Sequence, residues 1–191
     1  SRVRKLPEFD YELPASTMAD EILTPGNGQI KTLFTGAGNP VLSTPNGSKL
    51  EEALAQLDFM VSLDFYINET TRHADIILPP TSPLEHDHYD LAFHINAMRN
   101  TARFNEAIFD KPKGTMHDWE IFSKLGELVA LQLGEEARTP FPPSDLIDAG
   151  LIKGPYGKGK KYDLSLNKLR QYPSGIDLGP LKQMLPDRLM T

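Results

Sequence analysis

The sequence predicts an α/β fold: a mostly parallel sheet layered between helices, followed by an irregular proline- and glycine-rich C-terminal tail. Three observations predict it. Two short continuous apolar runs, Phe59-Met60-Val61 with Leu63 and Ile76-Ile77-Leu78, end at Asp64 and at Pro79-Pro80, as strands covered on both faces do. A third apolar segment, Ile30 with Leu33 and Phe34, runs into the glycine turn Gly36-Ala37-Gly38. Between it and Phe59, Leu50, Ala53, Leu54 and Leu57 recur at helical spacing. Strand, glycine turn, helix and strand make a βαβ unit. Open parallel sheets bind ligands outside the carboxyl ends of their strands, so the candidate site lies there.

Taken in order, the chain opens on a basic, proline-interrupted arm, SRVRKLPEFDYELPA, with no period of its own and an extended reading. Thr17 and Asp20 have the spacing of a capping box, which predicts a short helix through Met18, Ala19, Ile22 and Leu23 before Pro25-Gly26-Asn27-Gly28 breaks it. In the helix around Leu50, Glu51 and Glu52 are expected in the first turn, where negative charge suits the dipole. After Pro80 the chain is polar and proline-rich, and His94 to Ala102 alternates weakly, as an insecure strand would. A further helix follows, opened or capped by Asp118, with Trp119, Phe122, Leu125, Val129 and Leu133 on one face and Gly134 at its end. The expected organisation is an arm and short helix over residues 1–28, an α/β domain over 29–134, and a wrapping tail with short helices over 135–191. The tail segments KGPYGKGKKYD and PSGIDLGPL lack the apolar density to form a core by themselves and must bury against other protein.

Composition narrows the chemistry. The chain has 191 residues, a formal charge of −6 and no cysteine. That length suits one sizeable domain or one and a half. The charge argues against a nucleic-acid or anionic-membrane footprint, and no apolar run approaches the ~20 residues of a membrane span. Without cysteine the chain offers no disulfide framework, no thiolate ligand to zinc or an iron–sulfur cluster, and no thiol nucleophile.

Gly36-x-Gly38 after a strand allows close approach of a ligand to the backbone, and a Rossmann reading puts an acidic residue at the end of the next strand, where Asp64 stands. Pro40 and Val41 interrupt that pattern, so an ordinary βα loop with turning glycines explains the triplet equally well. Asp64 can accept two donors side by side, from ribose hydroxyls or from the N1–H and exocyclic amine of guanine. It could equally cap a short helix begun by Asn68-Glu69-Thr70. His73, Asp75, Glu85, His86, Asp87 and His88 raise a metal reading, but His86 and His88 two apart in a proline-bordered loop lack helix-borne zinc spacing, and a polar surface loop explains them. Asp118 beside Trp119 reads as a cap or a ligand contact, with bare spacing favouring the cap.

The segments GNPVLSTPNG and LDFMVSLDFYINETTRHADIILPPTSPLEHDHYDL resemble the third domain of molybdopterin-dependent oxidoreductases of the dimethyl sulfoxide reductase family, the group of formate dehydrogenases and nitrate reductases. A Gly/Asn-Pro turn, a strand-end Asp, a Glu-Thr pair, an Ala-Asp-x-x-Leu-Pro strand and an Asp-Trp-Glu helix start carry the resemblance, from about Ile30 to Gly134. It implies a three-layer Rossmann-like domain that holds one guanosine end of a bis-molybdopterin guanine dinucleotide cofactor. Position by position it marks Gly38 and Asn39 in the glycine turn, Leu63 and Asp64 at the strand end, His86 after the Glu, and Asp118 at the helix start. Asn68 departs from the Thr of several relatives.

The resemblance further implies a fragment of a larger molybdenum or tungsten oxidoreductase, with no turnover alone and no cofactor retained. Its partners would be the parent's remaining domains and an iron–sulfur or other electron carrier, with neither nucleic acid nor a membrane segment. A cytoplasmic location is expected, with the periplasm open. The alternatives are a free-standing nucleotide-binding module and a metal-dependent hydrolase built on the His73–His88 cluster.

Overall fold

The computed structural model describes residues 1–91, 93–94, 97–136 and 140–180. The chain divides into two compact units: Ser1–Thr81 with Gly114–Asp118, and Ser82–Lys113 with Trp119–Thr191.

The first unit is built on a parallel sheet. Strands β1 (Thr32–Gly36), β2 (Phe59–Leu63) and β3 (Ile76–Leu78) lie in the order β1-β2-β3, and their carboxyl ends share one row, Gly36 opposite Leu63 and Leu63 opposite Leu78. Helix α1 (Met18–Leu23) precedes β1, and α2 (Pro40–Ser43) and α3 (Gly47–Leu54) fill the crossover to β2. Ile22, Val41, Leu50, Ala53, Leu54 and Met60 form the core, so every helix of the unit contributes to burying the central strand. Each such aliphatic side chain contributes roughly 1.5–3 kcal/mol. Asp75 extends the ladder ahead of β3: its Oδ2 accepts from Met60 N at 2.7 Å and its N–H donates to Met60 O at 2.9 Å.

Two local expectations are corrected here. Helix α1 forms over the expected residues, but Thr17 does not cap it; the hydroxyl donates to Pro14 O at 2.8 Å and Asp20 pairs with Lys49 and Arg4. The other end of α1 is held by the N-terminal arm, where the Arg2 guanidinium donates to the carbonyls of Glu21, Thr24 and Pro25. A cation on the last carbonyls of a helix suits its dipole. In α3 the first turn carries no acid, because the helix begins at Gly47, earlier than the apolar spacing suggests; Glu51 instead pairs with Arg72. The close approach of Val41 O leaves no room for a side chain at Gly47.

The second unit holds two antiparallel two-stranded sheets, β4 (His88–Tyr89) with β6 (Phe104–Asn105) and β5 (Thr101–Ala102) with β7 (Ile176–Asp177). Its helices are α4 (Asp118–Leu133), whose first residue falls at the boundary, α5 (Pro143–Lys153) and α6 (Leu166–Arg170). Of the stretch expected to alternate between His94 and Ala102, only Thr101–Ala102 is strand among the described residues; Ile95 and Asn96 lie outside them, as does the tail beyond residue 180. Leu164, Leu166, Leu169 and Leu178 from the C-terminal stretch meet Ala102 and Phe104 in a second core. Ser165 caps α6 by accepting from Lys168 N at 3.2 Å, and Asp148 of α5 accepts from Leu166 N at 2.7 Å. Helix α4 has the expected bounds, yet Phe122, Val129 and Leu133 of its apolar face are exposed and Ile121 is its buried residue. Among the described residues no helix is long and apolar enough to cross a membrane.

Met60 is fully buried at the centre of the three-stranded sheet. Met60→Ala is expected to cost about 2–5 kcal/mol, read as a lowered urea midpoint, with hydrogen exchange accelerated in β1 and β2 while the β5–β7 amides keep their protection.

Candidate functional site

The site grows from two loops at the carboxyl row of the sheet. β1 ends at Gly36, and Ala37 N donates to Leu63 O at 2.8 Å, which ties the first loop to the end of β2. Ala37 and Gly38 both take left-handed backbone, φ 57° and 76°, so the chain reverses within two residues. At Gly38 that conformation favours glycine, and the space beside its Cα is open. Pro40 then starts α2, where its missing N–H costs nothing.

One buried hydroxyl joins the two loops. Thr70, with 0 % of its surface exposed, donates from Oγ1 to Asn39 Oδ1 at 2.6 Å and accepts from Val41 N at 3.1 Å. Asn39 Nδ2 donates to Glu69 Oε2 at 2.6 Å. The side chain of Asn39 is thus engaged at both ends by the Glu-Thr pair. That bond to Asn39 is the main reason the Glu69 carboxyl is held below its ordinary pKa.

The second loop orders Asp64. Tyr66 N donates to Asp64 Oδ1 at 2.9 Å, and Asn68 Nδ2 donates to Asp64 Oδ2 at 3.1 Å. Asn68 turns its Oδ1 the other way and accepts from Thr70 N and Thr71 N, both at 2.9 Å, ahead of the 3₁₀ turn Thr71–His73. Asn68, not Asp64, therefore accepts the amides that lead into that turn, whose N-cap residue is Thr70. The half-buried carboxylate of Asp64 keeps one spare lone pair on each oxygen.

Of the residues singled out in the sequence, Gly38, Asn39, Leu63 and Asp64 meet at this row. Leu63 is buried and its carbonyl is taken by Ala37. Asp118 is exposed at the start of α4; its segment is tied to the first unit by Thr81, whose N–H donates to Met116 O at 3.0 Å and whose hydroxyl meets His117 Nδ1 at 2.6 Å. His86 belongs to the second unit, half-buried, with Nδ1 3.0 Å from Asp87 O. His73 is in the first unit, facing Glu51 at 3.7 Å, its pKa lowered by burial and then by Arg72, and His86 and His88 are in the second. Among the described residues no group of three or more His, Asp or Glu could hold a metal ion. Sequence reasoning missed the joining role of Thr70 and the double role of Asn68. The available signal was the run Asn68-Glu69-Thr70-Thr71, four short polar side chains between two apolar strands.

Known proteins bear on this geometry. The family model described as molybdopterin oxidoreductase matches residues 2–128. The chain is 35% identical over 99 residues to the assimilatory nitrate reductase catalytic subunit of Bacillus subtilis, covering 52% of this chain and 13% of the relative. It is 31% identical over 107 residues to the F420-dependent formate dehydrogenase 1 subunit alpha of Methanococcus maripaludis, covering 56% of this chain and 15% of the relative. A putative formate dehydrogenase of Staphylococcus haemolyticus is 31% identical over 154 residues, 79% of this chain and 14% of the relative. The chain thus matches only a small part of the length of each of these relatives.

Thr70→Val keeps the volume and removes the joining hydroxyl, so Val41 N and Asn39 Oδ1 lose their partner. Thermal melts should show a loss of about 1–3 kcal/mol, with Thr70→Ser largely restored. A depressed folded pKa at Glu69 contributes stability that is present above the ordinary 4.5 and lost as pH falls through the lower folded value. Carboxyl-carbon NMR should place the Glu69 midpoint below 4.5 and return it upward in Asn39→Ala.

Proposed function

The chain belongs to the molybdopterin oxidoreductase family, and we propose that within a longer oxidoreductase its first unit holds one guanosine end of a bis-molybdopterin guanine dinucleotide cofactor. The observation that carries this reading is the Thr70–Asn39–Glu69 tie, which gathers the open glycine turn and the oriented Asp64 carboxylate at one end of a parallel sheet.

The residues fit the group by their donor and acceptor chemistry. Asp64 is acceptor-only, and its two spare lone pairs suit the adjacent N1–H and exocyclic amine of guanine. Adenine presents an acceptor at N1 and would face the carboxylate unfavourably. Tyr66 N and Asn68 Nδ2 hold the carboxylate in one orientation before any ligand arrives, which lowers the ordering cost of binding. Gly38 offers backbone approach without a side chain in the way. Asn39, engaged at both ends of its amide, acts as a positioning residue for that turn. Asp118 and His86 enter this reading through the family resemblance, Asp118 as a second candidate for the base.

When bound, the cofactor's molybdenum or tungsten centre supplies two-electron redox chemistry. This chain's part is to bind and orient. On the proposed reading its partners are the rest of the parent enzyme and an iron–sulfur or other electron carrier, and the isolated chain has no turnover.

Titration calorimetry of guanine nucleotides, with adenine nucleotides as control, tests the reading. Saturable guanine-selective binding is expected. Asp64→Asn, which replaces an acceptor with an amide, should weaken it roughly tenfold or more, as loss of a hydrogen bond to a charged group does, and erase the preference over adenine. Asp118→Asn is the parallel arm. Guanine and adenine bound equally by the unaltered chain would overturn the guanosine assignment.

A further inference from the structure

The second unit contains a cleft of about 420 Å³, within the range of small-ligand sites. Its walls are fixed by the backbone. Ile108 N and Phe109 N both donate to Leu84 O, at 2.8 and 3.0 Å, which holds the two apolar sides, Leu84 and Ile108, against one another. The turn that carries Leu84 is closed on itself, with Ser82 N donating to Glu85 Oε2 at 2.8 Å and Glu85 N donating to Ser82 O at 2.9 Å. Pairing of β4 with β6 sets His88 opposite Asn105 and Tyr89 opposite Phe104.

The polar lining is cationic on a chain whose net charge is −6. Two guanidinium groups, from Arg103 and Arg170, line the cleft with one carboxylate, Glu106, and with the imidazoles of His86 and His88. That carboxylate is already committed: its Oε1 lies 3.0 Å from Arg170 Nε. Arg170 also lies over the Phe104 ring, 5.1 Å from its centroid, so it is held as wall with its charge offset. Arg103 differs. It lines the same cleft and, among the described residues, makes no hydrogen bond or ion pair.

We propose that this cleft binds a small organic oxyanion, a phosphate monoester or carboxylate on an apolar body, with Arg103 as the anion's partner and Leu84 and Ile108 as the seat of the body. A guanidinium with its fork of donors free, beside preformed apolar walls, is the arrangement that recognises such a ligand. A bare anion gains nothing from the exposed Leu84 and Ile108, and a neutral apolar molecule gains nothing from Arg103. The proposal goes beyond the cofactor reading: it uses neither Asp64 nor Asn39, and His86, which that reading takes from the family resemblance, lines the cleft without being the anion's partner.

The test is an NMR titration of the 191-residue chain with phenyl phosphate and with benzoate, using phenol and inorganic phosphate as controls. At least one aryl anion should bind saturably and more tightly than both controls, with shifts at the Leu84, Asn105 and Ile108 amides. Stronger binding of phenyl phosphate assigns a phosphate ester, and stronger binding of benzoate a carboxylate. Arg103 is exposed, so Arg103→Met leaves the core intact; it should weaken the preferred anion roughly tenfold, as loss of a charge-assisted bidentate contact does. Unchanged affinity in Arg103→Met, no advantage over inorganic phosphate and phenol, or no saturable binding up to about 10 mM would overturn the proposal. Asp64→Asn should leave the aryl-anion titration unchanged and Arg103→Met should leave guanine selectivity unchanged, so either reading can fail alone.

Discussion

The first unit depends on the hydroxyl of Thr70. It lies where no water reaches, between two segments 31 residues apart in sequence, and satisfies an amide N–H at the start of α2 and the carbonyl of the Asn39 side chain together. Buried polar groups without partners cost about 1–3 kcal/mol each, so the glycine turn and the Glu-Thr loop adopt their shapes jointly. The strained reversal at Ala37-Gly38 is maintained because its far end is anchored here and its near end on Leu63.

From that tie the geometry propagates outward in short steps. Glu69 follows Thr70 and reaches the other end of the Asn39 amide; Asn68 precedes them and spends its carbonyl on two turn amides and its nitrogen on Asp64. The order of three consecutive side chains therefore sets the direction of a carboxylate at the end of β2. Mixed charge balance inside the loop matters as well. The carboxyl of Glu69 is held below its ordinary pKa first by the neutral amide of Asn39 and then by a backbone hydrogen bond. A dipole that cannot titrate is a steadier anchor across pH than a histidine would be.

The second unit solves a different problem. Its C-terminal stretch is poor in apolar residues, and it builds a core by contributing leucines at Leu164, Leu166, Leu169 and Leu178 to a pair of short strands far upstream. Such two-residue strands gain little from their own ladders, and the packing of Phe104 against the leucine cluster and the bonds at Ser165 and Asp148 add to them. The cost is surface: α4 leaves Phe122, Leu128, Val129 and Leu133 exposed. The cationic cleft follows from the same economy, since Arg103 alternates with the buried Ala102 and Phe104 and must point away from the core.

By itself the sequence determined the α/β class, the three parallel strands, the helices around Leu50 and Trp119, and the placing of Asp64 at a strand end, because apolar periodicity and proline or glycine breaks are local signals. The family resemblance was equally legible, carried by motifs in order. Tertiary structure alone decided which polar side chains meet. That the Thr70 hydroxyl joins two loops, that Asn68 rather than Asp64 accepts the turn amides, and that Thr17 turns away from the helix it precedes all depend on partners brought near by folding. The tail, expected to bury against other protein, finds its partners within the chain: its four spaced leucines form a core with Ala102 and Phe104, some sixty residues or more upstream, and no window of sequence contains both. Hydrogen bonds and cores are pairwise, and their pairs are made in space.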